Sequence, residues 1–94
     1  MVKIEWHPKA LEDLRAIFDF INRDSPYYAK IILEKIHLNV IKLKNFPKLG
    51  RKVPEFNKNE FRELIVQNYR VVYHYQTNEI LILAIFHSKQ KISF

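Results

Sequence analysis

The chain has 94 residues, 48% of them hydrophobic and 14% aromatic, which fits one domain spanning 1–94 with a modest core and excludes a mainly disordered chain. It has no Cys and no apolar run of membrane-spanning length, and its opening MVKIEWHPKA lacks the apolar region of a signal peptide. A disulfide framework and thiolate zinc sites are therefore excluded, and a cytoplasmic protein with no membrane association is expected.

The net charge of +6 is unevenly placed. Residues 1–41 balance six cations against six acids, whereas ten of the 16 Lys and Arg residues lie after residue 41, against four acids. Such a one-sided basic half reads either as a surface for nucleic acid or an acidic protein, or as a solvated lysine-rich face.

Val2, Ile4 and Trp6 alternate with Lys3 and Glu5, predicting a strand over residues 2–6. Pro8 suits a first helical turn, and Leu11, Leu14, Phe18 and Ile21 recur at helical spacing, so a helix is expected over 8–22. Asn22-Arg23-Asp24 breaks it, and Ser25-Pro26 restarts the chain as an N-cap followed by a first-turn proline. A second helix, 26–45, gathers Ala29, Ile32, Leu33, Ile36, Val40 and Leu43 in one arc. Tyr27, Ile31 and Leu38 form a second apolar stripe on nearly the opposite side, to be covered either by the first helix or by a partner.

Residues 45–60 hold two of the four prolines and the only glycine, and read as a connecting loop with Phe46 and Val53 as its anchors. Gly50 is expected to supply a backbone conformation denied to other residues. Three strands follow, at 61–66, 69–76 and 79–87, with turns at Gln67-Asn68 and near Thr77-Asn78 where Asn tolerates positive φ. The last strand, apolar on both faces from Ile80 to Phe86, must be well covered. The expected fold is α+β, in the order β-α-α-β-β-β: a two-helix hairpin on one face of a small antiparallel sheet. Its core is expected to hold Leu14, Phe18, Ile32, Ile36, Val40, Val71, Tyr73, Ile82 and Ala84, or their opposite-parity neighbours in the strands.

With a single Gly there is no glycine-rich phosphate loop, and no His pair offers a metal site, so neither metal nor cofactor is expected. Ser25, Ser88 and Ser93 have local explanations as a helix cap and tail positions. Alternation groups Arg70, Val72 and His74 on one face of their strand and Tyr69, Val71, Tyr73 and Tyr75 on the other. Arg62, His87 and Lys89 reach the Arg70 surface if register permits. An Arg that forks onto phosphate oxygens beside a His that moves protons near neutral pH is what metal-free RNA cleavage requires. The plainer reading makes Arg70 a salt-bridge partner of Glu63 across the hairpin and the histidines ordinary sheet residues. His7 and His37 read as helix-entry and helix-surface residues.

The ordered set IEWHPKALEDLRAIFDFI, SPYYAKII, FPKLGRKVPE, REL, YRVVY and ILILAIFH resembles the ParE branch of the RelE/ParE toxin superfamily over nearly the whole chain. The resemblance implies a curved antiparallel sheet under a helical hairpin, and the toxin of a type II toxin–antitoxin (plasmid stabilisation) pair. It also implies an acidic antitoxin, encoded adjacently, that wraps the toxin; Tyr27, Ile31 and Leu38 are the candidate docking residues. RelE-like members cut mRNA in the ribosome, with an Arg shortly after the last strand and an aromatic hydroxyl near the C-terminus; ParE-like members poison DNA gyrase. Here Arg70 matches the arginine of the YR motif, but Gln90 occupies the post-strand position and the final Phe94 carries no hydroxyl. Loss of one preorganised charge-stabilising group costs on the order of 10² to 10³ in rate. The expected function is therefore growth inhibition through gyrase without enzymatic cleavage. The alternatives are a YoeB-like ribosome-dependent mRNA endonuclease, with Arg62, Arg70, His74, His87 and Lys89 as its catalytic candidates, and a degenerate toxin that acts only as a binding module.

Overall fold

The computed structural model describes residues 2–92. Ser93 and Phe94, which entered the tail reading, lie outside the described residues. Strand β1 (Lys3–Trp6) runs into helix α1 (Pro8–Asp24), where His7 is the N-cap, its Nδ1 accepting from the Lys9 N–H (3.0 Å), with Pro8 in the first turn. Ser25 serves both helices of the hairpin. Its backbone N–H donates to Ile21 O (2.9 Å), closing α1, and its Oγ accepts from Tyr28 N–H (3.1 Å), opening α2 (Pro26–Ile41). The helix then tightens into one 3₁₀ turn, Lys42–Lys44, so the regular α-helix ends sooner than its apolar arc.

The sheet order is β1-β5-β4-β3-β2, with β2 at Arg51–Lys52, β3 at Phe61–Val66, β4 at Tyr69–Gln76 and β5 at Glu79–His87. The predicted meander is present, with strand bounds that agree with the sequence reading. Two features extend it. β1 lies parallel to β5, Ile4 opposite Ile80 and Trp6 opposite Ile82, so the complete sheet is mixed. β2, inside the predicted loop, adds two residues antiparallel to β3.

The turns and the glycine differ from expectation in detail. At Thr77-Asn78 both residues have positive φ (53° and 59°), as a tight hairpin requires, but at the first turn it is Gln67 (φ 54°) that takes the left-handed conformation, not Asn68. Gly50 has no positive φ. It is required by close approach: a Cβ there would lie 2.6 Å from the backbone oxygen of Glu63 and 2.8 Å from the ring and hydroxyl of Tyr73. The Tyr73 hydroxyl accepts from Gly50 N–H (3.0 Å) and donates to Pro47 O (2.8 Å), pinning the loop before β2 to the central strand.

Both faces of the sheet carry a core. On the helix side, Ile32, Ile36, Val40 and Leu43 pack on Leu64, Val66, Val71, Tyr73, Ile80, Ile82 and Ile85, with Leu14, Ile17 and Ile21 against them. Phe18 is only half-buried and Leu11 is exposed. Ala84, expected on this side, belongs to the other: Val72 pairs with Ala84 but Tyr73 with Ile82, so Leu83 is an extra residue that reverses the parity of β5 beyond it. The outer face buries Val53, Val72, Ala84, Phe86 and Ile92, with Phe56, Phe61 and Leu83 against them. Loop residues after β2 and the segment after β5 thus roof the sheet opposite the helices, which explains why β5 is apolar on both faces. Val53 anchors the loop as expected, whereas Phe46 is 63% exposed because Leu43 already fills the interior position at that end.

Candidate functional site

Arg70 points to the outer face, as strand alternation requires, yet it is only 6% exposed. Its Nε donates to Glu63 Oε1 (2.6 Å), its two terminal nitrogens donate to Glu55 Oε2 (2.8 Å) and Oε1 (2.7 Å), and one of them also reaches Gln90 O (3.1 Å). Glu63, with no exposed side-chain surface, accepts a second bond from Arg51 Nε (2.8 Å). The salt bridge across the hairpin is therefore real, and it is one part of a four-residue network, Arg51–Glu63–Arg70–Glu55. A buried ion pair is tolerable only when both partners are saturated in this way, and no buried side-chain polar atom among the described residues lacks a partner.

The electrostatics follow from the geometry. The hydrogen bonds from Arg70, with that from the Ile92 N–H, hold the Glu55 carboxyl down to about 2, against the desolvation that raises it. Bonding to Glu55, with Glu63 adding to it, pushes Arg70 above its ordinary range despite its burial. On the other face, burial raises the Tyr73 hydroxyl, offset by the Gly50 N–H and Arg62, and burial with the nearby Tyr28 raises Tyr69. Ile92 N–H donates to Glu55 Oε2 (3.1 Å), so the same carboxylate ties the C-terminal segment to the loop after β2. A shallow recess of about 430 Å³ lies over the network, lined by Arg51, Pro54, Glu55, Arg70 and Lys91.

The other candidates do not gather around Arg70. Arg62 pairs with Tyr73, which puts its side chain on the helix-side parity. There its Nε donates to Asn59 O (3.0 Å) and a terminal nitrogen to Gly50 O (2.8 Å), with a further bond to Asn59 Oδ1, so it clamps the loops on either side of β2. His87 pairs with Tyr69, because the extra Leu83 has turned this end of β5 over, and its ring meets the Tyr69 ring edge-on at 6.0 Å. Lys89 sits beside it in the turn, its N–H donating to His87 Nδ1 (3.3 Å). His74 does share the Arg70 face, but four residues along a strand separate the two by roughly 13 Å. It lies against Phe61, ring centroids 4.9 Å apart, beside a separate recess lined by Lys3, Glu5 and Glu79. The register thus overturns the expectation that Arg62 and His87 join the Arg70 surface.

Arg51, Glu55 and Lys91 were missed in the sequence. Glu55 alone left a signal, as the one acid in an otherwise basic stretch from residue 42 to 59. Among the described residues no group of three or more His, Asp or Glu is placed to hold a metal ion, and no helix is long and apolar enough to cross a membrane. The helix-two stripe remains largely open. Tyr27 is 77% and Leu38 53% exposed, so α1 does not cover them, while Ile31 is half-buried.

No curated protein sequence matches the chain. A family model described as the ParE toxin of the type II toxin–antitoxin system, parDE, matches residues 4–92. Among solved structures, a chain of the chromosomal ParDE toxin–antitoxin system from P. aeruginosa is 25% identical, with a TM-score of 0.78 over 95% of this chain and 98% of that one. A chain of the YoeB–YefM complex from Staphylococcus aureus gives 18% identity and a TM-score of 0.58, over 93% of this chain and 98% of that one. A heterotetrameric YoeB–YefM complex from the same organism gives 18% and 0.56, over 89% and 93%. The YoeB likenesses bear on the fold alone. With the family model spanning nearly all of both cores, the chain belongs to the ParE toxin family and is the toxin component of a type II toxin–antitoxin system.

Proposed function

We infer that this toxin arrests growth by a non-nucleolytic route through DNA gyrase, and that a cognate acidic antitoxin, encoded adjacently, neutralises it. The observation that carries the non-nucleolytic half is the saturation of Arg70 by Glu63, Glu55 and Gln90 O. Phosphoryl-transfer chemistry on RNA without metal needs a base, an acid and an available cation around one phosphate. Here Arg70 is neutralised by two carboxylates, Arg62 and His87 occupy the opposite face, and His74 stands too far along the strand. Gyrase as the target follows from family membership, and the antitoxin from the complexes in which the similar structures occur.

The docking surface for the antitoxin is assigned to α2, where Tyr27 and Leu38 leave apolar area open to solvent beside the half-buried Ile31. Exposed apolar residues set among charges mark a docking surface.

The deciding experiment adds purified protein to translating ribosomes and, separately, to gyrase with supercoiled DNA. Gyrase-linked DNA breaks with intact mRNA are expected. Codon-specific mRNA cleavage that disappears in His74→Ala or His87→Ala would establish the YoeB-like nuclease instead. Neither activity, with tight antitoxin binding retained, would leave a toxin that acts only as a binding module.

A further inference from the structure

The outer edge of β3 is only partly covered. Arg51 lies opposite Glu63 and Lys52 opposite Arg62, and Val53 N–H donates to Phe61 O (3.0 Å). In an antiparallel strand alternate residues direct their backbone groups to opposite sides. Phe61, Glu63 and Ile65 therefore face away from β4. β2 begins only at Arg51, and just before it Leu49 N–H turns back onto Phe46 O (3.0 Å). The covering row stops one pair short. Among the described residues, the backbone N–H and C=O of Ile65 have no strand partner.

The surroundings of this gap specify what would fill it. A groove of about 380 Å³ runs beside it, lined by Asn39, Lys42, Leu49, Arg51, Leu64 and Ile65. Leu49 and Ile65 are each half exposed, so two aliphatic anchors flank one open amide and one open carbonyl. The segment 42–52 supplies Lys42, Lys44, Lys48, Arg51 and Lys52 and no acid. Glu63, the one carboxylate that lines the groove, is fully buried and already bonded to Arg51 and Arg70.

We propose that this edge takes up an extended acidic polypeptide segment by strand addition, its backbone pairing with Ile65, its apolar side chains on Leu49 and Ile65, and its carboxylates beside Lys42 and Arg51. Strand addition draws affinity from main-chain bonds and specificity from the flanking side chains. Charge decides between the possible occupants. A second copy of the chain would bring the same cations to the edge and be repelled, as basic edge strands generally prevent self-pairing. A nucleic acid would satisfy the lysines but has no use for one amide, one carbonyl and two aliphatic side chains. The site lies on the sheet edge, apart from the α2 stripe, and does not depend on whether gyrase or the ribosome is the target.

The probe is a short fluorescent peptide alternating Val or Ile with Glu or Asp, titrated against the full-length protein, with amide hydrogen exchange followed residue by residue. Saturable binding is expected, with slowed exchange at the Ile65 amide. Ile65→Pro removes only the outward donor, a substitution that edge strands accept, and should weaken binding about tenfold or more while the thermal midpoint is kept. Lys42→Glu should weaken it as well, and Leu38→Asp on α2 should not. Should Ile65→Pro fail to fold, the exchange of Ile65 in the unmutated protein and the Lys42→Glu titration decide the question. The proposal is overturned if the peptide does not bind, if Ile65 gains no protection, if the Lys-substituted peptide binds equally well, or if a single-stranded oligonucleotide protects Ile65 in its place.

Discussion

With Glu63 on one side of its guanidinium and Glu55 on the other, Arg70 joins three parts of the chain: the β3–β4 hairpin, the loop after β2, and the segment that ends at Ile92. The residue type and strand position that suggested a phosphate ligand are the same ones that suit a buried tie. Only the arrival of Glu55, 15 residues earlier in sequence, decides between them. Glu55 also gives the fold a definite pH response. Its carboxyl stands at about 2 in the folded protein against an ordinary 4.5, so its contribution to stability is present above the ordinary value and is lost as the pH falls from 4.5 toward 2. The Glu55→Gln variant should be less stable than the parent at neutral pH and should lose less of its thermal midpoint over that acid interval, as followed by circular dichroism. Equal slopes for the two proteins would show that another carboxylate carries the acid transition.

At the level of elements, β5 depends on a residue from another element. β1 covers its free edge as far as Ile82, where His7 N–H donates to Ile82 O (2.8 Å), and beyond that point Asp13 Oδ2 of α1 accepts the Ile85 N–H (2.9 Å). A side chain thus takes the place of a missing strand, at the stretch where the extra Leu83 has reversed the parity of β5. Removing it by Asp13→Ala leaves a partly buried N–H unsatisfied, at a cost of about 1–3 kcal/mol. Asp13→Asn, whose amide oxygen still accepts, should recover most of that in urea denaturation. For α2 the prediction concerns binding. Its core face (Ala29, Ile32, Ile36, Val40) is buried, and its opposite side exposes Tyr27 and Leu38. Tyr27→Asp with Leu38→Asp should weaken antitoxin binding about tenfold or more while leaving the thermal midpoint within a few degrees. Because Ile31 is half-buried, a charge there would confound the two effects. Unchanged affinity in the double variant would place the antitoxin elsewhere.

Across the whole molecule, the charge asymmetry survives folding in altered form. Arg51 and Arg70 are bound to acids and Arg62 to loop carbonyls, so the cations left for long-range attraction are lysines, at positions 42, 44, 48, 52, 58, 89 and 91. Attraction of this kind acts on encounter and is screened within about 10 Å at 0.1 M salt. The association rate with the acidic antitoxin should therefore fall steeply as salt is raised, while dissociation changes little; stopped-flow mixing at several ionic strengths tests this. A rate that ignores salt would mean that the lysines are only a solvated face. Helix and strand positions, the hairpin made by Ser25-Pro26, the order of the meander and the family resemblance were all legible in the sequence, because each rests on local periodicity, capping and turn chemistry. What surrounds Arg70, which face Arg62 and His87 occupy, why residue 50 must be glycine and which strand edge stays open were not. Each depends on register and on contacts between distant segments: one extra residue at Leu83 turns half a strand over, and a two-residue strand hidden in a loop both brings Arg51 to Glu63 and stops short of Ile65.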